Sequence, residues 1–324
     1  MTLTLGSQGP VVRAWQATML DRYAFYAKAF DGGPLRVDQY FGDDDAAVQR
    51  EYQLRTHQLP TGVVSDDDLR KLDLRPALVS IHGTGQADPF GIGYPADIAR
   101  RLLDLCDWRP VGNYPAQAVP MDASADAGER EAARFITDNT ITPGHVLFVD
   151  YSQGSICGGR VRQRMRHGDL KDHRWKLLGA ASIGNPMRPN ESYEGNVNPG
   201  GHGIDPTLED YDPRCINLAA RGDLYTTCPD GPVGEMERAI FNAVFRRWTG
   251  TDSVPEQLRQ LITNPGREIP ALGKALWNGG LFVVRGTGPH VRYHLDECPG
   301  TGVTYYEHAI NRLRQTVLDF LATK

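Results

Sequence analysis

The stretch V-L-F-V-D-Y-S-Q-G, residues 146–154, decides the fold of this chain. It begins with a short apolar run typical of a buried strand and leads into a segment with a helical pattern. Ser152 falls in the turn between them, the context in which G-x-S-x-G lifts a serine hydroxyl above a sheet as a nucleophile. Asp150 replaces the first glycine of that motif, which restricts the turn and brings a negative charge near the serine. The stretch alone therefore also fits an ordinary serine in a turn.

Further apolar runs alternate with helical patterns on both sides of this stretch. The runs are A-L-V-S-I (77–81), H-V-L-F-V (145–149), W-K-L-L-G-A-A-S-I (175–183) and C-I-N-L-A-A (215–220). Apolar residues recur at helical spacing at Ile98, Leu102 and Leu105, and again at Ala132, Phe135 and Ile136. Strands that alternate with helices predict an α/β fold, with a parallel sheet covered by helices on both faces.

The first 75 residues have a different pattern and predict three short helices. Apolar residues share one helical face at Val12, Trp15 and Met19, at Val48 and Tyr52, and at Leu69 and Leu72. Ser65 and Asp68 form an S-x-x-D capping signature before the last pair. We therefore predict a small helical domain over residues 1–75 and a larger domain over residues 76–324.

A helical insertion is predicted within the larger domain, between about residues 231 and 285. No strand pattern appears there, and an apolar stripe runs from Ile240 to Trp248. This stripe and the run 269–277 fit a groove for long acyl chains. They fit ordinary packing on the sheet equally, because amphipathic helices bury their apolar face whatever the function.

Composition excludes several classes of protein. The 324 residues include 35 Lys and Arg against 40 Asp and Glu, a net charge of -5 that gives no reason to expect a nucleic-acid partner. No apolar run reaches the roughly 18 residues of a membrane span, and the N-terminus lacks a signal-peptide pattern. We expect synthesis in the cytoplasm and no integral membrane segment. Five scattered cysteines without C-x-x-C, and the lack of H-E-x-x-H, predict no zinc site. Catalysis by a serine nucleophile would require no metal or organic cofactor.

The loop H-G-T-G-Q, residues 82–86, follows the strand predicted at 77–81. In α/β-hydrolases the loop at this place donates one N–H to the oxyanion, here near Thr84, and the residue after the nucleophile, Gln153, donates the other. The alternative interpretation is a glycine-rich turn with a structural histidine.

A serine nucleophile requires a histidine base and a carboxylate that orients it, which follow in the chain order Ser, Asp, His. Asp223 follows the strand predicted at 215–220, the expected place for the acid. Four other aspartates lack a preceding strand, and we expect them to be solvated: Asp205, Asp210, Asp212 and Asp230.

The base is less sharply defined. His290 follows the loop G-T-G-P and is favoured, with His294 as the alternative base. His308 lies in a final amphipathic helix, where a packed or solvated histidine is the default. Three further histidines precede the expected position: His82, His145 and His202.

Together these residues resemble the lysin B esterases of mycobacteriophages. The resemblance starts with V-S-I-H-G-T-G-Q-A-D-P-F-G-I-G-Y-P-A-D-I-A-R-R-L-L-D-L-C-D-W-R-P-V-G-N-Y-P-A-Q-A-V-P-M (79–121) and continues through Y-S-Q-G (151–154), G-N-P-M-R (184–188), G-D-L-Y (222–225) and P-H (289–290). It implies a cutinase-like α/β-hydrolase, with Ser152 as nucleophile, Asp223 as orienting acid and His290 as base. It also implies an enzyme that acts at the host envelope during lysis and cleaves the ester between mycolic acids and arabinogalactan.

The N-terminal segment resembles the three-helix peptidoglycan-binding module of wall hydrolases. The matching stretches are L-G-S-Q-G-P-V-V-R-A-W-Q (5–16), Y-F-G-D-D-D-A-A-V-Q-R-E-Y-Q (40–53) and L-P-T-G-V-V-S-D-D-D-L (59–69). The resemblance implies peptidoglycan as a partner, and a tether to the wall raises the concentration of enzyme at an insoluble substrate. The alternative is a helical appendage that only stabilises the enzyme.

Three questions stay open at the level of sequence. Cutinases often carry a disulfide near the catalytic aspartate, so Cys215 and Cys228 could be bridged, although cytoplasmic synthesis favours free thiols. A lipase or acyltransferase acting on free lipid esters would use the same catalytic residues. A non-catalytic wall binder is the third alternative, if Asp150 closes the turn around Ser152.

Overall fold

The computed structural model describes residues 2–118, 121–205, 212–241 and 288–324. Three helices form the N-terminal segment, residues 2–75: α1 (Pro10–Tyr23), α2 (Asp43–Arg55) and α3 (Asp66–Lys71). The predicted cap at Ser65 is confirmed, because its hydroxyl accepts the Asp68 N–H while the Asp68 carboxylate accepts the Ser65 N–H. All three predicted helices are present.

The sheet in the described residues has five parallel strands in the order β2-β1-β3-β4-β5. They are β1 (Ala77–Ile81), β2 (Asp107–Pro110), β3 (Val146–Tyr151), β4 (Leu177–Ile183) and β5 (Cys215–Leu218). Four were predicted and β2 was missed. β2 is a half-buried strand at the edge, D-W-R-P, where Pro110 is tolerated because no strand pairs on its outer side among the described residues.

Helices cover both faces of the sheet, which confirms the predicted α/β-hydrolase fold. They are α4 (Tyr94–Arg101), α5 (Met121–Thr137), α6 (Gln153–His167), α7 (Pro232–Phe241) and α8 (Tyr305–Ala322), with a 3-10 helix at Lys171–Lys176. α4 and α8 pack on one face, and α5 and α6 cover the other. The predicted insertion lies mostly outside the described residues, as does the stripe that ends at Trp248.

Successive side chains of β3 point to opposite faces of the sheet. Leu147, Val149 and Tyr151 join the apolar core under α4 and α8, whereas Val146 and Phe148 join the core under α5 and α6. The whole strand is buried, as expected for a central strand of a parallel sheet. This alternation sends residue 150 toward α6.

The N-terminal segment packs on the α4 and α8 side, where its apolar residues share one continuous core with that face of the sheet. Asp73 accepts a hydrogen bond from the backbone N–H of His145, contacts the His145 Nδ1 at 2.6 Å, and pairs with the Lys324 ammonium at 3.0 Å. The Arg75 guanidinium donates to the carbonyls of Leu103 and Cys106. The predicted boundary at residues 75 and 76 lies between α3 and β1.

Candidate active site

Ser152 occupies a strained turn at the carboxyl end of β3. Its backbone dihedrals are φ 55° and ψ -120°, unusual for a residue with a side chain and typical of a site where the surrounding structure imposes the conformation. The Ser152 N–H donates to the carbonyl of Ile183 at 2.9 Å, which ties the turn to the end of β4. A Cβ at Gly154 would overlap the carbonyls of Ile81 and His82, so only glycine lets α6 begin this close to β1.

The structure brings Ser152, His290 and Asp223 together in one hydrogen-bonded relay. His290 Nε2 lies 2.9 Å from the Ser152 Oγ, and His290 Nδ1 lies 2.9 Å from the Asp223 Oδ2. Because a carboxylate can only accept, Nδ1 carries the proton of the neutral ring and Nε2 is left to accept the serine proton. Asp223 is fully buried and His290 is 6% exposed, so bulk water is largely kept away from both.

Two tyrosine rings hold the His290 imidazole. The Tyr151 ring stacks on it with centroids 5.1 Å apart, and the Tyr151 hydroxyl donates to the His290 carbonyl at 2.9 Å. The Tyr225 ring packs against it with centroids 4.6 Å apart. Gly184, at φ 59°, gives the ring room, since a Cβ there would lie 2.6 Å from the His290 Cε1. The imidazole is therefore fixed in one orientation toward Ser152.

Hydrogen bonds from three directions hold the Asp223 carboxylate. Oδ1 accepts the Tyr225 N–H at 3.0 Å, and Oδ2 accepts the Tyr293 hydroxyl at 2.5 Å in addition to His290. Burial, followed by the negative charge of Asp223, raises the pKa of Tyr225 above its ordinary value. The sequence placed Asp223 correctly beyond β5 but gave no sign of the Tyr293 contact.

The two residues predicted to bind the oxyanion follow β1 and the adjacent strand β3. Thr84 is exposed in the loop after β1, and Gln153 is the first residue of α6, so its N–H has no acceptor within the helix. Among the described residues, neither backbone N–H donates a hydrogen bond to another protein group. Gly83 lets this loop approach, because a Cβ there would meet the Tyr151 ring at 2.8 Å and the Ser152 Cβ at 3.2 Å. The loop after β1 therefore passes close to the serine turn.

The Asp150 carboxylate forms an ion pair on the α6 side of the sheet, so its negative charge is not directed at Ser152. The aspartate that replaces the first glycine of the motif therefore does not place an unpaired charge at the serine. Its carboxylate is fully buried toward α6, 2.6 Å from the Arg162 Nη1, and the Arg162 Nη2 donates to the Ser182 hydroxyl at 2.8 Å. Burial by itself lowers the pKa of Arg162, but Asp150 outweighs it and raises that pKa above its ordinary value. Gly158 leaves the space, since a Cβ there would overlap the Asp150 carboxylate.

The alternative base lies elsewhere. His294 is exposed and contacts the Tyr94 hydroxyl at 2.9 Å through Nδ1, so the structure brings His290 and not His294 to Ser152. His308 pairs with Glu194 at 2.7 Å. The buried His82 contacts the Pro89 carbonyl at 2.9 Å, as expected for a structural histidine.

The expectation of four solvated aspartates is correct only in part. Asp230 is exposed, but Asp212 is largely buried and pairs with Arg214 at 2.7 Å. Asp205 is 4% exposed, because its N–H donates to the Pro186 carbonyl and this holds its loop under residues 186–188. Asp210 lies outside the described residues. The prediction was wrong for Asp205 and Asp212 because loops packed over a sheet edge can be as buried as strands.

All five cysteines are free thiols in the structure. This agrees with the expectation that Cys215 and Cys228 are not bridged. In the described part of the chain, no group of three or more His, Cys, Asp or Glu side chains could hold a metal ion. Within those same residues, no helix is both long and apolar enough to cross a membrane.

A parallel sheet of this order, with a serine turn at the carboxyl end of its central strand, defines an α/β-hydrolase. The chain is 34% identical over 232 residues to the Endolysin B of Mycobacterium phage D29, which covers 65% of this chain and 90% of that relative. The chain belongs to the endolysin B family of mycobacteriophages.

Two further comparisons agree with this assignment. The Endolysin B of Mycobacterium phage L5 is 33% identical over 239 residues, or 66% of this chain and 92% of that relative. The crystal structure of lysin B from mycobacteriophage D29 matches with a TM-score of 0.54 and 32% identity, covering 74% of this chain and all of that one. No protein-family model matches the sequence. Fold and family together support an esterase with a role in phage lysis.

Proposed function

We propose that this protein is a serine esterase in which Ser152 is the nucleophile, His290 the general base and Asp223 the orienting acid. The observation that carries the proposal is the pair of 2.9 Å contacts that join Ser152 Oγ to His290 and His290 to Asp223. A serine alcohol is a weak nucleophile at neutral pH, and a base within hydrogen-bond reach is what activates it.

The reaction proceeds in two halves on this geometry. His290 Nε2 takes the Ser152 proton as Oγ attacks the ester carbonyl, and Asp223 stabilises the imidazolium that forms. The N–H groups of Thr84 and Gln153 bind the oxyanion. The imidazolium then protonates the leaving alcohol, and the acyl-enzyme remains on Ser152.

The second half releases the acid. His290 deprotonates a water molecule, which attacks the acyl carbonyl, and Ser152 leaves with its proton restored. The buried carboxylate keeps Nδ1 protonated throughout, so Nε2 alone moves protons. No metal or organic cofactor enters either half.

We propose the ester between mycolic acids and arabinogalactan as the substrate, on the strength of family membership. A lipase or an acyltransferase acting on free lipid esters would share the same relay. Product analysis separates the three: free mycolic acid released from isolated mycolyl-arabinogalactan supports the proposal. Preferential cleavage of triacylglycerol, or transfer of the acyl group to an added alcohol, contradicts it.

The N-terminal segment is proposed to bind peptidoglycan and hold the enzyme at the host envelope, where the ester is found. The support is the resemblance of its three helical stretches to wall-binding modules. Cosedimentation of full-length Ser152→Ala protein with purified peptidoglycan tests this proposal without the complication of turnover. Protein that stays in the supernatant at all peptidoglycan concentrations would leave only a stabilising role for the segment.

A matched pair of histidine variants tests the catalytic proposal. With a short p-nitrophenyl ester, Ser152→Ala and His290→Ala should each lose roughly 10³-fold or more in kcat/KM. His294→Ala should stay within about twofold of wild type, since its side chain is exposed and contacts Tyr94 instead of Ser152. Equal, near-background rates for wild type and Ser152→Ala would favour a non-catalytic wall binder.

A further inference from the structure

Tyr293 contacts the Asp223 carboxylate in the interior of the protein. Its hydroxyl lies 2.5 Å from the Asp223 Oδ2, the same oxygen that accepts the His290 Nδ1–H. The side chain is completely buried, and its ring lies edge-on to the Tyr305 ring with centroids 5.4 Å apart. Neither the hydroxyl nor the ring reaches Ser152, so Tyr293 has no direct part in the two half-reactions.

The direction of the hydrogen bond between Tyr293 and Asp223 is determined by a third group. The backbone N–H of Ala220 donates to the Tyr293 oxygen at 3.2 Å, so the single phenolic proton is free to point at the carboxylate. Burial, and then the charge of Asp223, raises the pKa of Tyr293 well above its ordinary value. The phenol therefore stays protonated and is a permanent donor to Asp223.

The other ionisable groups around this pair do not replace that donor. Four tyrosine rings and one guanidinium lie near: Tyr94 and Tyr305 pack edge-on to the Tyr293 ring, Tyr151 and Tyr225 pack on His290, and Arg188 contributes its positive charge to the Asp223 environment. The Arg188 guanidinium is engaged by backbone carbonyls, including that of Thr226 at 2.7 Å. Of the described side chains, only those of His290 and Tyr293 donate to the Asp223 carboxylate.

We propose that Tyr293 is a positioning residue of the esterase, which fixes the Asp223 carboxylate and sets the pH at which His290 becomes an effective base. This inference rests on the proposed function. By sharing Oδ2 with His290, the phenol withdraws negative charge from the oxygen that faces the imidazole. The Asp223 carboxylate then stabilises the imidazolium less, so the neutral, basic form of the ring stays populated at lower pH.

The experiment compares Tyr293→Phe with Tyr305→Phe, because the two tyrosines differ mainly in their contact with Asp223. Tyr305 is also buried, packs edge-on against Tyr293 and donates its hydroxyl to the carbonyl of Ala219 at 3.1 Å, next to Ala220. Both substitutions remove one buried hydroxyl that contacts the chain just after β5. Log(kcat/KM) for a short p-nitrophenyl ester is measured against pH for wild type and both variants.

In Tyr293→Phe we expect the acid limb of this profile to move to higher pH by about half a unit. The plateau should fall about tenfold, since a hydrogen bond to a buried charge is lost. Tyr305→Phe should leave the midpoint in place and lower the plateau by less than about twofold. A Tyr293→Phe profile with an unmoved midpoint and the plateau of Tyr305→Phe would overturn the proposal.

A second variant keeps the test decisive if Tyr293→Phe does not fold. Tyr293→3-fluorotyrosine retains the hydroxyl and nearly the same volume but makes the phenol a stronger donor, so the acid limb should move to lower pH. No movement would contradict the proposal. Failure of the esterase assignment has a different signature, because Ser152→Ala would then match wild type at every pH.

Discussion

Polar side chains are buried in both the N-terminal segment and the sheet region, but they differ in charge and in what they contact. In the N-terminal segment neutral amides hold loops, and the buried carboxylates of Asp45 and Asp68 accept hydrogen bonds from neutral donors. The Gln16 side chain accepts the N–H groups of Asp38 and Gln39 at 3.1 Å each and donates to the Tyr40 carbonyl at 3.0 Å. Gln53 likewise accepts the Gly62 N–H at 3.0 Å. Both lie in the stretches that resemble peptidoglycan-binding modules.

In the sheet region buried guanidinium groups contact a carboxylate and backbone carbonyls near the site. Arg162 neutralises Asp150 beneath the serine turn, and the fully buried Arg188 donates to carbonyls of the loops that flank Asp223. Buried charges are costly to leave unpaired, so these contacts tolerate less change than amides do.

This difference between the two regions shows how much can be inferred from the resemblance of each region to a known family. The N-terminal motif residues Gln16 and Gln53 stabilise the fold of their segment, so that resemblance predicts architecture and leaves the binding surface undefined. The motif residues Ser152, Asp223 and His290 contact one another at the carboxyl ends of the strands, which supports the proposed chemistry. Three predictions test this contrast between neutral loop anchors and buried charges.

The largest effect is expected from Arg162→Met. The variant leaves the Asp150 carboxylate buried without its partner, which should lower the free energy of unfolding by about 3–5 kcal/mol. Urea denaturation measures the loss. The double variant Asp150→Gly, Arg162→Met removes the stranded charge and should recover more than half of it. If the losses in free energy of unfolding simply add in the double variant, Asp150 and Arg162 are not coupled. The proposed contrast between buried charges and neutral loop anchors would then be wrong.

A smaller effect is expected from Gln16→Leu, which removes a buried neutral anchor. Unsatisfied loop N–H groups should lower the free energy of unfolding by about 2 kcal/mol. The exposed Gln8→Leu serves as the matched control and should change it by less than about 0.5 kcal/mol. Hydrolysis of a soluble ester should be unchanged in both variants at a temperature where both are folded. A loss of kcat in folded Gln16→Leu would contradict this prediction and show that the N-terminal segment affects ester hydrolysis.

The smallest effect is expected where the two regions meet, at Asp73. Burial alone raises the pKa of this carboxyl, but hydrogen bonds from His145 and Lys324 outweigh burial and hold it below its usual range. A lowered pKa means that the stabilisation is present above about pH 4 and is lost as the pH falls through the folded-state value.

Asp73→Asn should therefore lower the free energy of unfolding by about 1 kcal/mol at pH 7, and this difference from wild type should shrink as the pH falls below about 4. Denaturation curves of wild type and Asp73→Asn, recorded from pH 7 to below about pH 4, measure this difference. A difference that stays constant, or grows, with falling pH would rule out the ionised contact as its source.

The sequence predicted four of the five strands because long apolar runs between helical patterns leave few other arrangements. It missed β2, whose Asp107, Arg109 and Pro110 carry no apolar pattern, since an edge strand is only half buried. The site residues Ser152 and Asp223 could be placed from their positions just beyond predicted strands. His290 was favoured as the base because it directly follows the loop G-T-G-P, and His294 stayed as the alternative because it also lies downstream of Asp223.

The order of apolar and polar residues by itself determined the layers of this protein. It also determined the edge of the sheet at which the candidate site lies. Both depend on the spacing of buried residues and the direction of each strand, which are local properties of a chain. Only the tertiary structure decided which imidazole faces Ser152, which arginine neutralises Asp150 and that Tyr293 donates to Asp223. Ser152 and His290 are 138 residues apart, and Asp223 and Tyr293 are 70 apart. Contacts across such separations depend on the directions of side chains after packing, and no local pattern encodes them.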